Sequence, residues 1–86
     1  MKQQKQFLFT VTDYKPIEQD FDYVATSAEA AMHKHLIANY HGLIAQRRSG
    51  VNGLSGRFAI YKPLENGYKN MYLPIHVVGP LLEVKK

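Results

Sequence analysis

Arg47 and Arg48 stand before, and Arg57 directly after, a glycine series Gly50-x-x-Gly53-x-x-Gly56. A guanidinium fork binds phosphate or carboxylate through two parallel hydrogen bonds, and glycine lets successive backbone amides curl into an anion-binding nest. This pattern points to contact with a polyanion. Lys62 and Lys69 lie on the segment beyond, and Tyr61 and Tyr72 add aromatic surface beside them. The series matches neither the dinucleotide fingerprint nor the P-loop, which requires Gly-Lys-Ser/Thr at the start of a helix. The expected binding residues are therefore Arg47, Arg48, Arg57, Lys62, Lys69, Tyr61 and Tyr72, with the arginines carried on a mobile loop whose mutation leaves stability nearly unchanged.

His33, His35 and His41 raise the question of a metal, since imidazole is a common zinc or copper ligand. On a helix, positions 33 and 35 point about 200° apart, and 33 and 41 are separated by roughly 12 Å along the axis. Neither pair has the i, i+4 spacing of a chelate. His35 is expected at the edge of the core and the other two in solvent. The serines at 27, 49 and 55 fit cap and loop positions, and none stands in a Gly-x-Ser-x-Gly elbow. Asp20 and Asp22 share one face of a strand and could pair, but a solvated edge accounts for them more simply. Hence no metal, cofactor or catalytic residue is assigned, and the chain is read as a binding protein rather than an enzyme.

The elements that position these groups follow from periodicity. Phe7, Phe9 and Val11 alternate with Leu8, Thr10, Thr12 and Tyr14, as in a half-buried strand. After Lys15-Pro16, Phe21, Tyr23 and Ala25 share one face of a second strand, which makes an antiparallel hairpin with the first. Thr26-Ser-Ala-Glu29 fits a capping box, with Thr26 as cap and Glu29 folding back. It predicts a helix over about residues 27–41, packed through Met32 and Leu36 and stopped by Gly42. Leu43–Arg47 predicts a third strand, 48–56 a loop, and 57–62 a fourth strand. Asn66-Gly67 predicts a type I′ turn into a final strand carrying Met71, Leu73, Ile75 and Val77.

The fold class is accordingly α+β, an antiparallel sheet of four to five strands in the order β-β-α-(β)-β-β with one helix on one face. With 86 residues and no cysteine, a single domain spans 1–86, held by packing without disulfides, with flexible tails at 1–5 and 84–86. The short apolar run Phe7–Phe9 is too brief for a signal core or a membrane span, so the chain is read as cytoplasmic with no membrane partner. Charge is divided along the sequence: residues 1–29 carry three basic and five acidic side chains, residues 30–82 six basic and one acidic. One helix covers only one sheet face, which leaves Tyr14, Tyr61, Tyr72 and Val78 on the other. A homodimer formed face to face or edge to edge is the expected cover.

The expected partner is nucleic acid or a nucleoprotein complex. The alternative is a protein–protein module or inhibitor that places the same basic patch on an acidic surface. Arg57-Phe-Ala-Ile-Tyr61 departs from the RNA-recognition motif, because Ala59 interrupts the aromatics and only one helix is evident. In size and outline alone the chain resembles short accessory proteins of phages and mobile elements, some of which are anti-CRISPR proteins. That resemblance implies the inhibitor alternative and names no residue.

Overall fold

A computed structural model describes residues 5–14, 17–70 and 75–85, with the backbone alone at 68–70. The strands are β1 (Gln6–Asp13), β2 (Gln19–Ala25), β3 (Ile44–Gly50), β4 (Gly56–Leu64), β5 (Gly67–Asn70), β6 (Ile75–Val78) and β7 (Glu83–Val84), with helix α1 (Ala28–Asn39) after β2. They form one antiparallel sheet in the order β2-β1-β6-β4-β3; β5 extends it along β4 and β7 along β1. This is the predicted α+β architecture, one helix on a sheet. No helix among the described residues is long and apolar enough to cross a membrane.

The first hairpin follows the alternation read from sequence. Phe7, Phe9 and Val11 lie opposite Ala25, Tyr23 and Phe21, so aromatic and small side chains share the face that the helix covers. From α1, Ala28, Ala31, Met32, His35 and Leu36 are buried against Phe9, Val11, Phe58, Ile60, Ile75 and Val77. The buried residues of this helix lie along one side, and Lys34, Ile37 and Ala38 face solvent.

Five local expectations shift. Ser27, not Thr26, is the helix cap; its Oγ accepts from the Ala30 amide at 3.1 Å. Glu29 does not fold back on the cap, because Arg47 and the Gly53 amide take its two carboxylate oxygens. The third strand runs on to Gly50 and the fourth begins at Gly56, so residues 51–55 alone connect them. The second hairpin turns through Glu65-Asn66, since Leu64 pairs with Gly67, which takes φ +140° at the start of β5. At the C-terminal end, Val84 pairs with Gln6 in β7 and so belongs to the sheet. Met71 and Leu73, predicted for the last strand, lie outside the described residues.

Candidate functional site

No described element covers the sheet face opposite the helix, and the strand registers define what lies on it. Asp20 faces Thr12, Thr12 faces His76, His76 faces Arg57, and Arg57 faces Ser49. This row crosses five strands with a carboxylate at one edge and a guanidinium toward the other. At the acidic end the threonines of β1 donate to the aspartates of β2, Thr10 to Asp22 at 2.8 Å and Thr12 to Asp20 at 2.7 Å. At the basic end Arg57 is exposed and has no hydrogen bond or ion pair from its side chain to any described residue. A bulge between Arg47 and Ser49 inserts Arg48 into β3, and its Nη1 donates to the Tyr61 hydroxyl at 2.7 Å. Between these groups a concavity of about 250 Å³ is lined by Tyr14, Arg57, Ile75 and His76.

The seven predicted site residues therefore separate. Arg48, Arg57 and Tyr61 share the open face, where Arg48 and Tyr61 are in contact. Lys62 is exposed but alternates to the opposite side of β4 from Arg57 and Tyr61. Lys69 sits opposite Lys62 in the backbone register, and Tyr72 lies outside the described residues. Tyr14 and His76, absent from the predicted set, join the open face. Their signal was the alternation itself, which puts Tyr14 with Thr10 and Thr12, and His76 between inward Ile75 and Val77.

Arg47 goes elsewhere. It lies on the helix side, paired with Phe58 in register, its guanidinium carbon 4.7 Å from that ring's centroid. Nε donates to Glu29 at 2.7 Å, Nη2 to the Leu54 carbonyl at 2.7 Å, and Nη1 to the carbonyls of Ser49 and Ser55 at 3.0 and 3.2 Å. The glycine series is thus a cradle of carbonyl oxygens filled by the chain's own cation, the reverse of an amide nest for phosphate. Gly50 and Gly56 are required by that closeness: a Cβ would lie 2.3 Å from the Ser55 carbonyl oxygen at Gly50 and 2.0 Å from Arg47 Nη1 at Gly56. Glu29 also accepts from Gly53 at 2.8 Å, the Gly53 carbonyl accepts from Ala28 at 3.0 Å, and Ser55 exchanges hydrogen bonds with Gly79. The connection read as a mobile loop is fastened to the helix N-terminus and to the C-terminal turn.

The hydrogen bond from Arg47 holds the Glu29 carboxyl below its ordinary value of 4.5, against the opposing effect of partial burial. A depressed folded value means that Glu29 stabilises the fold fully above about pH 4.5 and loses that contribution as pH falls through the lowered value. Glu29→Gln is therefore expected to be less stable than wild type at pH 6, with the gap closing in acid. Thermal melts from pH 6 to 3 test this; a constant gap would mean that the charge of Glu29 contributes nothing.

A second polar cluster lies beneath the helix. His35 is fully buried; its Nε2 lies 3.1 Å from Asp13 Oδ2, and its Nδ1 lies 2.7 Å from the Tyr23 hydroxyl. Tyr40 donates to the same Asp13 oxygen at 2.5 Å. These partners assign a proton to Nε2 and leave Nδ1 to accept from Tyr23. The Asp–His–Tyr order has the form of a relay that could activate the Tyr23 phenol. Its electrostatics oppose that role: burial raises the Tyr23 pKa, with Asp13's charge adding to the effect, despite the Asn39 hydrogen bond. Burial likewise raises the Tyr40 pKa, reinforced by its hydrogen bond to Asp13. Both phenols are kept protonated, and the cluster acts as a polar lock between helix and sheet. His33 and His41 are exposed, and no three His, Asp or Glu side chains among the described residues gather as metal ligands.

Comparison of the chain with protein-family models, with curated proteins and with solved structures finds no match.

Proposed function

We propose that this chain is a non-enzymatic cytoplasmic binding protein that engages nucleic acid, alone or within a nucleoprotein, through the basic half of its uncovered sheet face. The observation that carries this reading is the open face itself, where Arg57 has no partner among the described residues and shares the surface with Arg48, Tyr61 and His76. An exposed arginine without a carboxylate is available to a phosphate, and the flat sheet surface places several such groups in one plane. Asp20 and Asp22 share the face but stand three strand spacings from Arg57, about 14 Å. That exceeds the screening length of about 8 Å at physiological salt, so the two halves act separately.

Titrating salt against affinity for a labelled oligonucleotide tests the proposal. Neutralisation of two to four phosphates gives a log–log slope between about −1.4 and −3.6. Binding that ignores salt, or no binding at low salt, would overturn it.

The charge polarity of the face also favours a second reading, a protein–protein module of the kind an inhibitor would be. A two-fold axis parallel to the strands would lay Asp20 of one copy over Arg57 of the other, twice in the same interface. An acidic surface on another protein could replace the second copy. Such a dimer buries the arginines that nucleic acid needs, so the readings exclude one another. Sedimentation equilibrium separates them: the chain mass of 9.8 kDa accords with a free face, and twice that mass with a covered one.

A further inference from the structure

We infer that the nucleic acid is single-stranded, with one nucleotide seated in the concavity between Tyr14, His76 and Arg57; this rests on the nucleic-acid reading above. A duplex hides its base faces and is read by an element that enters a groove. Here the helix is packed on the far side of the sheet, and among the described residues no helix lies on the face that carries Arg57. A single strand, by contrast, offers a backbone to cations and a π-face at every base, and proteins bind it with basic grooves set with aromatic platforms. The open face has that composition: Arg57 and Arg48 supply charge, while Tyr14, 40% exposed, and the half-buried Tyr61 supply rings.

Arg57 and Tyr61 are four residues apart on one face of β4, roughly 13 Å. Ala59, whose side chain is small, lies between them on the same face and leaves the surface low beside the concavity. At about 250 Å³, this space falls below the 300–1,000 Å³ usual for whole ligands and cofactors. It suits one base or one phosphate of a longer strand. Arg57 and His76 provide N–H donors for a phosphate, and Tyr14 provides the stacking surface.

Fluorescence anisotropy with a labelled thymidine oligonucleotide about twelve residues long, the same strand in duplex form, and a uridine RNA of equal length tests the inference. Binding of the single strands, DNA and RNA, is expected to be at least about tenfold tighter than that of the duplex. Tyr14→Leu should weaken it roughly 5- to 100-fold, the range for loss of one stacked base. Tyr14→Phe, which keeps the ring, should bind close to wild type. Arg57→Ala should weaken binding about tenfold and make the salt slope shallower by about 0.7. Lys85→Ala removes the same charge elsewhere and should stay within about twofold; circular dichroism and melting temperature of each variant establish folding. Equal or tighter binding of the duplex, with the Arg57 effect retained, would overturn the single-strand inference and leave the nucleic-acid reading standing. Loss in Tyr14→Phe equal to that in Tyr14→Leu would overturn the stacking site. Failure of all three nucleic acids to bind would remove the nucleic-acid reading and this inference with it.

Discussion

Asp13→Ala is expected to cost about 2–5 kcal/mol of folding stability, because it removes the one acceptor shared by two buried donors. Asp13 is 4% exposed and His35 is fully enclosed. Alanine at 13 would leave the His35 Nε2 proton and the Tyr40 hydroxyl facing an apolar cavity, where an unsatisfied donor costs about 1–3 kcal/mol. The total stability of a chain this size is about 4–13 kcal/mol, so this one change approaches the point of unfolding. Asp13→Asn keeps one carbonyl acceptor at the same place and should lose less, about 1–3 kcal/mol. Urea denaturation of the two variants against wild type measures the difference. A loss below about 1 kcal/mol in Asp13→Ala would mean that the cluster locks nothing.

The inward set Phe7, Phe9 and Val11 was legible because a strand buried on one face alternates with a period of two. Carried one step further, the same alternation turns Asp13 inward, and a buried carboxylate must find donors. Those donors come from residues 22 and 27 positions away, beyond anything a local pattern records. The helix was legible for the same local reason, and its cap was displaced for a non-local one. Both Thr26 and Ser27 can cap, but Glu29 is committed to Arg47 and Gly53, so the reciprocal arm that would select Thr26 is not available.

The site was legible in part. Arg57 and Tyr61 share a strand face by simple alternation, and their exposure follows from one helix having to serve a sheet with two faces. Arg48 reaches that face only through a bulge, which inserts a residue and changes the parity of everything after it. Glycine-rich sequence between two strands reads as mobile until its partners are known. Here the partners are Glu29, 24 residues from Gly53, and Gly79, 24 residues from Ser55.

Arg47→Ala is expected to destabilise by about 2–4 kcal/mol, whereas Arg48→Ala next to it should change stability by no more than about 0.5 kcal/mol. The two side chains have the same chemistry and opposite surroundings. The Arg47 side chain is 14% exposed and meets one carboxylate, three carbonyl oxygens and a ring face. Hydrogen bonds to charged groups contribute about 1.5–3 kcal/mol each before solvent screening and non-additivity reduce their sum. Glu29 is 39% exposed, which weakens the ion pair toward the modest value of a surface bridge. What remains is the loss of a cation from a cradle of carbonyl oxygens and of its stem from Phe58. Arg47→Lys keeps the charge but lacks the planar fork that reaches Glu29, Leu54, Ser49 and Ser55 together, so it should recover less than half of the loss. Thermal denaturation of the three variants checks this assignment, and oligonucleotide affinity measured on the folded fraction checks the division of labour: Arg48→Ala should weaken binding while melting like wild type. Wild-type stability in Arg47→Ala would return that residue to the set available for a partner.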